Sequence, residues 1–247
     1  MFSLKSPEEI RIMREGGRIL ARILKKISRE TRAGVSAIYL NELAEAEIEK
    51  EGGEPAFKNY EGFPASLCVS VNSEVVHGVP QGKVIREGDV VGLDLGLKYK
   101  NLHTDAAVTV VVGEASREVK KFVRDCRQSL HLGIRQVKSG HHIGDVSSAI
   151  QSFVEQKGYS VVRQLVGHGI GYQVHEEPRV PNYGEKGKGL LLCPGMTFCI
   201  EPMINMGEAQ VEVKEDGHTF ETADRSLSAH FEHTVAVIEK GCLILTE

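Results

Sequence analysis

Val90-Val91-Gly92-Leu93-Asp94-Leu95-Gly96-Leu97, followed by Leu102-His103-Thr104-Asp105-Ala106-Ala107-Val108-Thr109-Val110, is the stretch around which the chain is organised. Both segments read as apolar strands, with Lys98-Tyr99-Lys100-Asn101 as the turn of a β-hairpin. With the turn centred between Tyr99 and Lys100, Asp94 falls directly opposite Asp105 and both carboxylates point to one face. Like charges opposed across a ladder repel. Each also resists leaving water unless it is paired or bound to a metal. Such a strand pair needs cations between its carboxylates, or a shared proton. The alternative is two Asp residues in different registers, each capped by a nearby Arg. Three further candidate ligands downstream lower the weight of that alternative.

The composition narrows the class. The 247 residues are 41% hydrophobic, enough for an ample core in one or two domains. The net charge of −4 comes without a long basic run, so no nucleic-acid footprint is indicated. Met1-Phe2-Ser3-Leu4-Lys5-Ser6-Pro7 lacks the apolar centre of a signal peptide, and no 18-residue apolar run suggests a membrane span. Five cysteines, an odd number with no C-x-x-C, point to a reducing cytoplasm rather than a disulfide framework.

Working outward from the hairpin, the preceding residues predict two helices. The first starts at Ser6 with Pro7 at its first position and Glu9 closing a capping box. Ile10, Met13, Gly17, Leu20, Leu24 and Ile27 mark its inner face. The second follows Gly34-Val35-Ser36, turns Leu40, Leu43, Ala44 and Ile48 inward, and stops at Gly52-Gly53. Ala65 to Val79 is strand-rich.

After Gly113 the order repeats. A long helix starts at Ser116, with Val119, Phe122, Val123, Cys126, Leu130, Ile134 and Val137 on one face. A shorter one turns Val146, Ala149, Ile150, Phe153 and Val154 inward and ends at Gly158. The interval from Gly34 to Gly52 equals that from Gly140 to Gly158. Glu87-Gly88 precedes Asp94 as Pro194-Gly195 precedes Glu201. Internal similarity at one long period suggests two copies of a helix-helix-sheet unit, with halves of about 1–113 and 114–247 in one domain. Their carboxylates would meet at a central pseudo-twofold axis.

The strand-embedded polar residues are Asp94, Asp105, His168, Glu201 and Glu232. Four carboxylates and one imidazole make a hard, oxygen-rich set that suits two divalent cations, with one or two carboxylates bridging. Mn, Fe(II), Co and Zn all fit it. The pattern Gly167-His168-Gly169-Ile170-Gly171 is not a dinucleotide fingerprint, because no suitable helix start follows. His103 and His233 neighbour ligands in strands and should point to the opposite face. His141-His142 precedes a helix and reads as solvated.

In these ligands and their spacings, the chain resembles the pita-bread metallopeptidases, specifically the type I methionine aminopeptidases. The supporting motifs include Tyr60, Phe63-Pro64, Cys68, Asn72, Val76-His77-Gly78-Val79-Pro80, His168-Gly169-Ile170-Gly171, His175-Glu176-Glu177-Pro178, Glu201-Pro202-Met203 and Asp224-Arg225-Ser226-Leu227-Ser228-Ala229. The resemblance covers almost the whole chain. It implies an α+β fold of creatinase/aminopeptidase type: a curved antiparallel sheet with helices on its convex side and two divalent ions (Co, Mn, Fe(II) or Zn) in the centre. It implies removal of the N-terminal methionine from nascent proteins by metal-activated hydroxide. Partners would be those polypeptides, with ribosome association, no specific nucleic acid and no membrane, for a cytoplasmic monomer.

Residue by residue, the resemblance makes Asp94 a chelator, Asp105 and Glu232 bridging ligands, and His168 and Glu201 ligands of the second metal. Glu201 is also the candidate general base. His77 would lie near the scissile region, and His175 would donate to the developing oxyanion, worth roughly 3–4 kcal/mol. Tyr60, Phe63 and Cys68 would form the pocket for the first side chain, and Met203 would line the site.

Three departures stand out. The family's His-Gly-Asp-Thr-Ser appears here as His103-Thr104-Asp105-Ala106-Ala107, Val174 replaces an aromatic, and His218 replaces a Trp. With Val174 and His218 at the pocket rim, first-residue tolerance would be wider. We expect neither a zinc-finger-like N-terminal extension nor the insertion between His175 and Glu201 of type II enzymes. An Xaa-Pro peptidase on the same fold is the main competitor, but such enzymes carry an additional N-terminal domain and the first helix here begins by Ser6. A non-catalytic binding relative is the second, but such proteins lose ligands and this chain keeps all five.

Overall fold

The computed structural model describes residues 3–247. Helix α1 (Pro7–Glu30) starts as its sequence predicts: the Ser6 hydroxyl accepts from Glu9 N–H while the Glu9 carboxylate accepts from Ser6 N–H. Its buried stripe is wider than the expected face and includes Ile19 and Ile23. Helix α2 (Ala37–Lys50) is capped by Ser36 and stops before Gly52, whose φ of 73° lies in the left-handed region. Three short strands follow, β1 (Glu54–Pro55), β2 (Leu67–Val71) and β3 (Glu74–Val76).

Strands β4 (Val90–Tyr99) and β5 (Leu102–Val111) form the expected hairpin, but its register differs from the sequence reading. Only Lys100 and Asn101 turn, with φ of 48° and 65°. Two left-handed residues make the tight hairpin turn whose twist matches that of the flanking strands. The pairing therefore moves by two residues: Asp94 opposes Ala107, and Asp105 opposes Gly96. An even shift keeps both aspartates on one face, now as diagonal neighbours.

Helices α3 (Arg117–Ile134) and α4 (Ile143–Gln156) come next, then β6 (Ser160–Val161), β7 (Gly167–Gly169), β8 (Glu176–Val180), β9 (Thr197–Ile200) and β10 (Met203–Asn205). The chain closes with β11 (Val211–Val213), β12 (Phe220–Thr222), β13 (Ser228–His230), β14 (Glu232–Ile238) and β15 (Gly241–Ile244). One nine-stranded antiparallel sheet runs β1-β4-β5-β14-β9-β7-β8, with β2 also on β4 and β15 also on β14. This curled sheet carrying helices is the α+β pita-bread architecture.

Two apolar clusters hold the helices to the sheet. Leu20, Leu24, Ile27, Leu40 and Ile48 pack on Leu67, Val69, Leu93 and Leu95. Phe122, Cys126, Leu130, Val146 and Ile150 pack on Phe198, Ile200, Val235 and Val237. Each such side chain contributes about 1.5–3 kcal/mol on burial. Alternation along the strands does the rest: with Leu93, Leu95, Ile200 and Val235 facing the helices, Asp94, Glu201 and Glu232 must face the concave side. No helix among the described residues is long and apolar enough to cross a membrane.

Candidate active site

A single row of directly opposed residues crosses the sheet. Cys68 on β2 faces Asp94 on β4, Asp94 faces Ala107 on β5, and Ala107 faces Glu232 on β14. One step beyond the His233–Ile200 pair, the β14–β9 register brings Glu201 against Glu232. Asp105 stands two residues before Ala107 on the same face. Ala107 stands between Asp94 and Glu232, so this departure from the family pattern lies inside the row. The Thr234 hydroxyl fixes the Asp105 backbone, accepting from its N–H at 2.9 Å and donating to its carbonyl at 2.8 Å.

His168 reaches the same centre from β7. Its flanking glycines are required by close packing: a Cβ at Gly167 would meet Cys199 O at 2.4 Å, and one at Gly169 would meet Glu177 O at 2.2 Å. His168 Nδ1 donates to Gly169 O at 3.0 Å, which leaves the Nε2 lone pair aimed at the carboxylates. Nε2 lies 3.5 Å from Glu201 Oε1 and 4.0 Å from Asp105 Oδ2.

Asp94, Asp105, Glu201 and Glu232 are between 2% and 9% exposed. Among the described residues their ion-pair neighbours are His168 and His230, not the Arg caps of the alternative reading. Burial first, then the charges of the other carboxylates, holds Asp94, Glu201 and Glu232 well above ordinary carboxyl values, and burial raises Asp105 to about 7. Desolvation, followed by the neighbouring His175, lowers His168 to about 3, so its imidazole is neutral. Asp94 Oδ1, Asp105 Oδ1 and Glu232 Oε1 are buried without any hydrogen-bond partner. An uncompensated buried charge costs several kcal/mol. Orphaned carboxylate oxygens converging with a neutral imidazole fit a divalent-cation site.

The row forms the floor of a cavity of about 810 Å³. Tyr60, Phe63, Cys68, His77, His168, His175, Met203 and His218 all line it, so every predicted site residue reaches this one space. His175 stands at the mouth, its ring 4.4 Å from that of His168 and 5.2 Å from that of Tyr60. His77 is held with φ 55° and its ring lies edge-on to Phe220 at 5.8 Å. Burial, and then His175 and His218, lowers its pKa to about 4. Burial and the carboxylates raise the Cys68 thiol well above its usual value, so it remains protonated and apolar in character.

Three placements refine the sequence reading. Val174 is not at the rim: it is 3% exposed and packs with Phe57, Phe63 and Cys68 behind the wall. Only His218, edge-on to Phe63 at 5.6 Å, stands in the cavity lining. His141 and His142 are partly buried rather than fully solvated, and the backbone of His142 bridges to Leu191. His103 and His233 do face away, toward Gly171 O and Thr246 Oγ1.

Two residues were missed. Cys199 Sγ groups closely with donor atoms of Asp105, His168 and Glu232, and His230 groups with Glu201 and Glu232. The available signal was spacing: each stands two residues before a proposed ligand in an extended segment, hence on the same face.

The profile of metallopeptidase family M24 matches residues 11–239. Methionine aminopeptidase 1 of Bacillus subtilis is 44% identical over 246 residues, covering 100% of this chain and 99% of that relative. The crystal structure of methionine aminopeptidase from Thermotoga maritima is similar with a TM-score of 0.98 at 45% identity, covering 100% of both chains. The prolidase from Pyrococcus horikoshii is similar at a lower level, with a TM-score of 0.79 and 25% identity, covering 99% of this chain but 63% of that one. A family profile spanning most of the sequence, on a sheet whose buried carboxylates converge with a neutral imidazole, establishes that the chain belongs to metallopeptidase family M24.

Proposed function

We propose that this protein is a methionine aminopeptidase that uses two divalent ions to remove the N-terminal methionine of nascent polypeptides. The observation that carries the reading is the carboxylate row with its orphaned oxygens on the floor of a cavity walled by Tyr60, Phe63 and Cys68. Asp94, Asp105, His168, Glu201 and Glu232 would hold the ions, with Asp105 and Glu232 shared between them. Mn, Co, Fe(II) and Zn all suit the donors. When bound, such ions supply Lewis acidity and make water a nucleophile near neutral pH.

The side chains supply the rest. Glu201, its carboxylate beside His168 Nε2, accepts the proton of the attacking water and passes it to the leaving amine. His175 donates to the oxyanion as the scissile carbonyl becomes tetrahedral. His77, also in the cavity lining, positions the peptide bond. The substrate's α-amine sits at the Asp94 end of the row, which restricts cleavage to the first bond. The apolar wall with its protonated thiol suits the unbranched, polarisable methionine side chain. A β-branched Val or Ile is stiff at χ1 and clashes with the floor.

We also take residues 1–247 as one catalytic domain of two related halves. Equivalent isolated bridges support this: Ser36 pairs with Val84 in the first half, and His142 with Leu191 in the second. A cytoplasmic monomer acting on chains at the ribosome fits this activity, and the five unpaired cysteines agree with a reducing compartment.

The test is a kinetic comparison of Met-, Leu-, Val- and Ala-initiated peptides and an Ala-Pro peptide, metal-free and after adding Mn or Co. Met should be preferred, Leu weak, and Val nearly inert. Discrimination by shape is on the order of 1–3 kcal/mol per methylene. Equal efficiency on the first four would remove the methionine assignment, and preference for Ala-Pro would favour the prolidase-like alternative.

A further inference from the structure

We propose that His230 is a sixth metal-binding donor, a second imidazole on the cation held by Glu201 and Glu232. The inference rests on the metal-site reading above and extends it.

His230 is the last residue of β13 and is 3% exposed. Its Nε2 is buried and has no hydrogen-bond partner. A histidine serving only as core filling would have that nitrogen satisfied, because buried polar groups are almost always paired. Nε2 points instead at two acids, 3.7 Å from Glu201 Oε2 and 3.9 Å from Glu232 Oε2. Both distances are too long for a hydrogen bond. Both are shorter than about 4.2 Å, twice the ~2.1 Å that separates a divalent ion from a nitrogen or carboxylate donor. One donor atom from each of the three residues lies within 4.8 Å of the others.

The ring is also held in place. Thr109 Oγ1 donates to His230 O at 2.6 Å and accepts from His230 N–H at 3.0 Å, and β13 is paired to β10 through His230 and Met203. Glu201 thus stands between two imidazoles, with Oε1 toward His168 and Oε2 toward His230. A second nitrogen donor enriches the site in ligands that favour Co, Ni and Zn over Mn. The sequence departure at Ala107, between Asp94 and Glu232 in the row, removes a side-chain oxygen from the same neighbourhood, in the same direction.

The test uses the full chain loaded with Co(II). Proton NMR in water counts the hyperfine-shifted ring N–H signals of coordinated histidines. Two are expected in the unmodified protein and one in His230→Gln. Competition titrations should show His230→Gln losing at least about tenfold in Co(II) and Zn(II) affinity, the lower end of what even outer partners of a metal site contribute. Its Mn(II) affinity should fall less. One histidine signal in the unmodified protein, with Co(II) bound, overturns the inference and leaves the metallopeptidase reading intact. Two signals that both persist in His230→Gln overturn it equally. Failure to bind Co(II) at all would overturn both. The count in the unmodified protein does not depend on the variant folding.

Discussion

Lys5 Nζ lies 2.6 Å from Glu176 Oε2, with the lysine side chain wholly enclosed and the glutamate nearly so. The ammonium also donates to Ser3 Oγ and sits 4.6 Å from the centre of the Tyr172 ring. Glu176 accepts further from the backbone N–H groups of Tyr172 and Gln173. Burial opposes its ionisation, but Lys5, Gln173 and Ser3 outweigh it and hold its pKa below the ordinary value. The segment ahead of α1 thereby clamps the loop whose next residue back is His175. Lys5→Met should cost about 3–5 kcal/mol, because it leaves a buried carboxylate unpaired. Lys5→Met combined with Glu176→Gln should cost less than Lys5→Met alone. Urea denaturation of the three proteins checks this; a double variant less stable than the single would contradict it.

Chelation should abolish hydrolysis, and Mn, Co or Fe(II) should restore it. Asp105→Ala should lose tight binding of both ions, because a shared ligand serves each. Elemental analysis after dialysis gives the stoichiometry, and an unchanged metal content would remove the bridging role from Asp105.

His175 lies at the mouth, over the donor ring rather than in it. His175→Ala should retain its metal and lose roughly 10²–10³ in kcat, the usual scale for one oxyanion donor. His77→Ala should lose a comparable factor but raise KM more, since His77 positions the peptide. Loss of metal from His175→Ala would show that it is a ligand.

Stability of the metal-free protein should fall as pH rises above 6.5. Asp94, Asp105, Glu201 and Glu232 have folded values raised above their ordinary 3.8 or 4.5. Their contribution is full below those ordinary values and is lost as pH climbs through the raised ones, because the folded state binds protons that the unfolded chain has released. The buried histidines oppose this at lower pH. His77 is lowered to about 4, and His168 and His230 to about 3, from 6.5. Their contribution is present above 6.5 and lost as pH falls. Above pH 6.5 it is constant, so the carboxyls set the slope. Thermal melts with chelator should give a Tm that declines between pH 6.5 and 8.5, and Mn(II) should flatten the curve by replacing the protons. A rising Tm in the metal-free protein would contradict this.

The five proposed ligands, the four helices and the hairpin were legible in the sequence because each depends on local order. Ser6 and Glu9 cap a helix through contacts within one turn, and apolar alternation assigns Leu93 and Leu95 to one face and Asp94 to the other without reference to any neighbour. Pairing was not legible. The two-residue shift between Asp94 and Asp105 arose because Lys100 and Asn101 both adopt left-handed conformations, a choice made jointly by the turn and the twist of the strands it joins.

The tertiary structure alone decided what converges. Val174 is placed behind the pocket wall by packing against Phe57 and Cys68, residues more than a hundred positions away, and no spacing within its own segment encodes that. Spacing put His230 on the face of Glu232, but its role became visible only where its Nε2 is seen to lack a partner and to face Glu201 and Glu232. Covalent order and side-chain periodicity determined which residues share a face. The curl of the sheet, set by long-range pairing of β14 with β5 and β9, determined which of those faces meet.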